Sequence, residues 1–146
     1  MIIKPLEESD KHKIYKMFVN LSEDTICNRY GHVINFEDAR IFEPYWTAFN
    51  CAKVVLVAKT DRIQDDDIIA IVELYVADKS GDVSILVRDE HQSCGVGDAL
   101  MTKIEGVAKE LLLEELTAVP LNIRSKNLIK KHGFIQKNQL MWYKKL

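Results

Sequence analysis

The sequence predicts an α/β domain built on a mostly antiparallel sheet, and three observations predict it. First, three β-rich runs follow one another with only short polar stretches between them: "AKVVLVAKT" (52–60), "DIIAIVELYVAD" (67–78) and "DVSILVRD" (82–89). Such runs read as an antiparallel meander. Second, the remainder alternates helical and extended patterns: "GVGDALMTKIEGVAKELLL" sets Leu100, Ile104, Val107, Ala108 and Leu111 on one helical face, and "ELTAVPL", "NIRSKNLIKKHGF" and "MWYKKL" follow. Third, 146 residues of which 47% are hydrophobic supply one core and little room for a second, so residues 1–146 are expected to form a single domain.

Taken in order, "MIIKPL" is a short strand, and Ser9 or Asp10 is placed to cap a helix carrying Ile14, Met17, Phe18 and Leu21 at helical spacing. The segment from Ser22 to Trp46 mixes helix-like pieces, with breaks expected at Gly31 and again at Pro44. "DRIQDD" joins the first two runs of the meander as a hairpin turn, and "KSGD" is the second turn. The last helix is expected to close at Gly133.

Composition excludes several functions. The three cysteines, Cys27, Cys51 and Cys94, show no C-x-x-C spacing, and the four histidines form no H-x-x-x-H pair. "DRIQDDDI" lacks the glycine and closing glutamate of a calcium loop, so no metal is expected. No apolar run is long enough to span a bilayer and "MIIKPLEESDKHK" does not resemble a secretory signal, so the expected location is cytoplasmic, without a membrane partner. The net charge of −2 hides an asymmetry: after Glu115 the chain has no acidic residue but carries Arg124, Lys126, Lys130, Lys131, Lys137, Lys144 and Lys145. That end of the chain suits an anion, or is a solvated helix face and edge strand; no nucleic-acid motif accompanies it.

Within "VRDEHQSCGVGDALM" a strand runs directly into a glycine-containing helix start. Unpaired backbone N–H groups and the positive end of a helix dipole make such a junction an anion site. A P-loop would need a lysine and a hydroxyl residue after Gly97, and the dinucleotide fingerprint would need a glycine where Leu100 stands. Glycines serving turn geometry alone remain an alternative. "QSCGVG", Gln92 to Gly97, resembles the acyl-CoA pyrophosphate loop Q/R-x-x-G-x-G/A of the GNAT N-acetyltransferase superfamily. "NIRSKNLIKKHGF" resembles a second hallmark of that family, matching at Asn122, Ser125, Leu128, Gly133 and Phe134. The element order also matches, from residue 2 to the end of the chain. The resemblance implies a mixed, mostly antiparallel sheet of six to seven strands with splayed central fourth and fifth strands, about four flanking helices, and acetyl-CoA as co-substrate.

It also implies roles for individual residues. Backbone groups of Leu86 and Val87 would pair with the pantetheine arm. The N–H groups of Gln92, Ser93, Cys94, Gly95, Val96, Gly97 and Asp98 would hold the pyrophosphate, while Asn122, Asn127 and Lys130 would face the same cofactor. Arg88 and the basic tail would neighbour the remaining phosphates. Asn122 is equally placed to cap a helix, Arg88 to be a solvated surface residue, and Cys94 to be a loop residue without chemistry. Acetylation of an amine needs a proton acceptor, because a lysine amine is neutral in only about one molecule in 2,500 at pH 7. Asp82 and Glu73 are the candidate bases, the alternatives being a polar turn residue and a sheet-surface charge. Where many GNAT enzymes carry a tyrosine acid for the thiolate, Ile129 stands; the thiolate leaves unaided, or Tyr143 or Tyr75 substitutes.

A narrower resemblance concerns the acceptor. "FVNLSEDTICNRYGH" resembles a segment of the Pat-type bacterial and archaeal protein lysine acetyltransferases at Leu21, Ser22, Glu23 or Asp24, Arg29 and Tyr30, and Asp82 falls where those enzymes carry their proposed base. Glu23, Asp24, Glu37 and Asp38 would attract a basic substrate or are solvated helix charges. The expected activity is acetylation of a protein lysine by direct attack in a ternary complex, by a monomer or homodimer. The alternatives are acetylation of a small amine or amino acid, and a weakly catalytic acyl-CoA sensor.

Overall fold

The computed structural model describes residues 1–60 and 67–146. The chain runs through β1 (Ile2–Pro5), α1 (Lys11–Val19), α2 (Glu23–Tyr30), α3 (Ala39–Ala48), β2 (Val54–Lys59), β3 (Ile68–Ala77) and β4 (Ser80–Val87). It continues through α4 (Val96–Glu110), β5 (Glu115–Ala118), α5 (Ile123–Lys131), β6 (Ile135–Gln136) and β7 (Trp142–Lys145). The strands form one seven-stranded sheet in the order β1-β2-β3-β4-β5-β7-β6. Every neighbouring pair is antiparallel except β4 and β5, which run parallel. The expected meander is therefore present, although its first turn, "DRIQDD", lies outside the described residues.

β3 sits inside the sheet with helices on both faces, which is why its apolar run is nearly unbroken. On one face α4 and α5 bring Leu100, Met101, Ile104, Ala108 and Ile129 against Val72, Leu74 and Val83. On the other, α1, α2 and α3 bring Ile14, Met17, Phe18, Ile26, Phe42 and Trp46 against Val57, Ile71 and Leu86. Phe18 is 1% exposed and meets Phe36 and Phe42 edge-on at 4.9 and 5.4 Å. Its burial contributes on the order of 2–3 kcal/mol.

Three local expectations differ from the structure. α4 ends at Glu110, so Leu111 is 38% exposed; the chain then turns through Leu112 at φ 61, and Leu113 is the leucine that packs inward. Pro44 does not break its segment but lies inside α3, a helix capped by the Asp38 carboxylate and anchored by buried Phe42 and Trp46. Burial of that apolar face outweighs the hydrogen bond the proline removes. Neither Ser9 nor Asp10 caps α1 through its side chain: the Asp10 carboxylate turns back to accept from the Glu7 N–H at 2.9 Å and Lys4 Nζ at 2.7 Å. The α-helices number five among the described residues, in keeping with the expected four or so.

The feature that shapes the functional site is the parting of β4 and β5. They pair in register only from Ser80↔Glu115 to Asp82↔Thr117, after which β4 runs on to Val87 while β5 stops at Ala118. Antiparallel pairing alternates hydrogen-bonded and non-hydrogen-bonded residue pairs. The Arg88 N–H donates to the Ile69 C=O, so the pair two steps back, Leu86↔Ile71, is also a hydrogen-bonded one. Leu86 therefore gives its backbone groups to β3, and Ile85 and Val87 turn theirs to the open edge. Among the described residues no helix is long and apolar enough to cross a membrane.

Candidate active site

A cleft of about 490 Å³ opens where β4 and β5 part. Ile85 and Val87 form one side, the loop from Gln92 to Gly97 closes one end, and Asn122, Asn127 and Leu128 bring in α5. Asn28 and Arg29 of α2 reach it from the opposite face of the sheet, and Asp82 lies at the fork.

The loop has the makings of an anion cradle. Among the described residues, the backbone N–H groups of Ser93 through Asp98 donate to no protein acceptor, and they stand at the N-terminus of α4, a helix of 15 residues. Aligned peptide dipoles make that end positive. Ser93 and Gly95 are left-handed at φ 60 and 84, which turns the chain sharply before the helix. A Cβ on Gly95 would meet nothing within 4 Å, so backbone conformation and not crowding selects glycine there. Gly97 is the reverse case: its Cβ would stand 3.2 Å from Leu128 Cδ2, where α5 packs against the first turn of α4.

Side chains brace this loop against the opposite wall. Gln92 Nε2 donates to the Val87 C=O at 3.0 Å and to Thr25 Oγ1 at 3.1 Å, while its Oε1 accepts from Arg124 on α5. Asp89 accepts from the Ser22 N–H at 2.8 Å, from Ser22 Oγ at 2.7 Å and from the Thr25 hydroxyl. Burial pushes the Asp89 carboxyl upward, but these hydrogen bonds outweigh it and hold the group below the usual carboxylate range. The start of α2 is thus tied to the turn after β4.

The predicted residues take different positions around the cleft. Leu86 lines the cleft with its side chain packed towards α1–α3, but its backbone groups are given to β3, so the edge backbone belongs to Ile85 and Val87. Val96 is buried on the apolar face of α4, and Cys94 is exposed with its Sγ 3.4 Å from the Gln92 carbonyl; neither side chain lines the cleft. Lys130 lies over the Trp142 ring, 5.5 Å from its centroid, and Lys131 lines the cleft in its stead, paired with Asp98 at 3.1 Å. His132 bonds the same Asp98 oxygen at 2.9 Å. Asn122 does cap α5, accepting the Ser125 N–H at 2.8 Å, and also lines the cleft. Arg88 is largely buried and pairs with Glu90 at 3.2 Å. Of the basic tail only Arg124 and Lys131 reach the cleft.

The two candidate bases occupy one face of the sheet in different settings. Asp82 stands opposite Tyr75 on β3 and beside Thr117 on β5, whose hydroxyl donates to Asp82 Oδ1 at 2.8 Å. Burial raises the Asp82 carboxyl above its ordinary value; the Thr117 hydrogen bond and the Arg29 charge pull against that rise. Glu73 is 4% exposed and is bound by Arg29 Nη2 at 2.7 Å, with the Tyr75 hydroxyl at 3.3 Å. It does not line the cleft. Burial and the Glu73 charge push the Tyr75 hydroxyl up to about 12, so it stays protonated. Sequence reasoning marked Arg29 only as part of a motif; its pairing with Glu73 across 44 residues carries no local signal. Ile129 is buried against the cleft, and no tyrosine is among the described residues that line it.

A family model described as "Acetyltransferase (GNAT) family" matches residues 17–134. The chain belongs to the GNAT acetyltransferase family. The fold is that of the family, and the protein is an acetyl-CoA-dependent N-acetyltransferase. The GNAT domain of S. lividans PAT superposes with a TM-score of 0.81 at 20% identity, covering 99% of this chain and 89% of that one. The PaiA N-acetyltransferase of Thermoplasma acidophilum, solved in complex with coenzyme A, gives 0.74 at 17% identity, covering 99% and 98%. A ribosomal-protein-alanine N-acetyltransferase from Brucella melitensis gives 0.70 at 17% identity, covering 100% of both chains. No curated protein sequence matches the chain. For this acetyltransferase the six unpartnered N–H groups and the open edge of β4 are chemically suited to a pyrophosphate and an amide-containing arm.

Proposed function

We propose that the protein acetylates the ε-amine of a protein lysine by direct attack on acetyl-CoA in a ternary complex, with Asp82 accepting the proton. The observation that carries this reading is the position of Asp82: a partly buried carboxylate with a raised pKa, at the fork where the cleft reaches the α2 side of the sheet. A raised pKa makes the carboxylate a better proton acceptor near neutrality. In the step, the amine nitrogen bonds to the thioester carbon, the C–S bond breaks, and the proton passes to Asp82 directly or through one water. Coenzyme A is released as a thiolate that takes its proton from solvent, since Ile129 supplies none.

In this reading the N–H groups of Ser93 to Asp98 hold the pyrophosphate, and Ile85 and Val87 pair with the pantetheine beside Asn122 and Asn127. Glu73 is the counter-ion of Arg29 and not the base. The protein-lysine acceptor is supported by the Pat-type segment around Arg29 and Tyr30 and by the likeness to the S. lividans PAT domain. The test incubates wild type and Asp82→Ala with labelled acetyl-CoA and, in separate arms, protein lysines, N-terminal alanine peptides and small amines. Label in protein lysines, reduced at least a hundredfold in Asp82→Ala, is expected. Label confined to another arm removes the acceptor assignment, and full activity of Asp82→Ala removes the base.

A further inference from the structure

We propose that Thr117 is a positioning residue for acetyl transfer: its hydroxyl clamps one oxygen of Asp82 at the fork of β4 and β5, leaving the other for the acceptor proton. The inference rests on the reading of Asp82 as base. Thr117 is 7% exposed and stands in the last residue pair of the parallel ladder, so its side chain is held at the point where the two strands begin to diverge. A β-branched side chain on a strand has few rotamers, and a buried hydroxyl must find a partner. Here the partner is Asp82 Oδ1 at 2.8 Å, and among the described residues Asp82 Oδ2 has none. One bond therefore does two things: it orients the carboxylate, and it favours the ionised form that has to receive a proton.

The other polar groups around the Asp82–Thr117 pair come from three elements. Arg29 on α2 acts in the same direction as Thr117, through its charge. Tyr75 lies across on β3 with its hydroxyl turned to Glu73, which is itself held by Arg29. Tyr143 on β7 stands in register with Thr117, with Lys137 over its ring. None of these donates a hydrogen bond to Asp82, so the Thr117 hydroxyl is the only side-chain donor to that carboxylate among the described residues.

Thr117→Val keeps the shape and removes the hydroxyl. Without it the Asp82 carboxyl rises further, so the acidic limb of the kcat/KM profile should move up by about one pH unit. kcat should fall about tenfold while the KM for acetyl-CoA stays unchanged, and Thr117→Ser should restore both limb and kcat. A Thr117→Val enzyme with the wild-type limb and kcat overturns the proposal, as does a Thr117→Ser that fails to rescue. Asp82→Asn, run in parallel, separates the two ideas. If it is inactive and Thr117→Val is normal, only the positioning role falls; if it keeps full activity, the base assignment falls and the positioning role with it. Should Thr117→Val fail to fold, Thr117→Ala against Thr117→Ser carries the same comparison.

Discussion

Asp82 stands directly across from Tyr75 and Glu73 two positions before it on β3, yet their surroundings separate them. Glu73 has a guanidinium at 2.7 Å and almost no solvent; Asp82 has a neutral hydroxyl and an open cleft. Glu73 was visible in the sequence as a carboxylate interrupting an apolar strand and Asp82 as one at a strand's start, but burial and partners, which decide their roles, are not properties of either strand alone. Arg29→Ala tests the structural half of this division. It leaves the Glu73 carboxylate buried without its counter-ion, which costs 3–5 kcal/mol for fully buried pairs. Because the Arg29 side chain is 23% exposed, a loss of about 2 kcal/mol is expected in urea unfolding at pH 7. Unchanged stability would mean that the pair is of no structural consequence.

At the scale of elements, α2 is held by few apolar residues, only Ile26 being a buried hydrophobic on it, and by the polar tie to Asp89. Asp89→Ala should cost about 1–2 kcal/mol and speed amide exchange through residues 22–30. It should also weaken acetyl-CoA binding, because Thr25 helps to hold Gln92 at the start of the loop. The pH dependence has a definite sign. The folded Asp89 pKa is depressed, so its contribution is complete above the unfolded value near 3.9 and is lost as pH falls through the folded value. The stability difference between wild type and Asp89→Ala should therefore be full at pH 6 and shrink below about pH 4. A difference that grew on acidification would show that the tie is not ionic. The start of α4 and the end of α5 were legible because periodicity, the glycine-rich start and Gly133 are local signals. Leu111 and Pro44 misled because helix ends and proline tolerance depend on what the neighbouring surface buries.

For the whole molecule, the cleft draws residues from both halves of the chain, from Asn28 and Arg29 of α2 to Lys131 of α5. A ligand filling it binds only the folded state. At a hundred times its Kd it adds about 2.7 kcal/mol, which for a domain of this size raises Tm by roughly 5–10 °C. Acetyl-CoA should produce that shift with wild type. Gly97→Glu should melt near wild type without ligand, since the flexible Leu128 side chain is the near neighbour of its Cβ, but should show no shift with acetyl-CoA. A wild-type protein that acetyl-CoA does not stabilise, or a Gly97→Glu that it still stabilises, would place the donor elsewhere.

The amino-acid sequence by itself determined the meander, the two late helices, and the glycine loop with its asparagine-led second hallmark. Each is a pattern of side chains within a dozen or so residues, and local backbone preference and hydrophobic period suffice to specify it. Only the tertiary structure decided which backbone groups face the open edge, that Arg29 binds Glu73, that Thr117 reaches Asp82, and that Lys131 and not Lys130 lines the cleft. Those outcomes depend on strand register and on the burial of residues far apart in the chain. A one-residue change of register would exchange the two faces of β4; the two-residue turn at Asp78 and Lys79 sets it against β3, but its pairing with β5, 35 residues on, is settled only by the packing of the whole sheet.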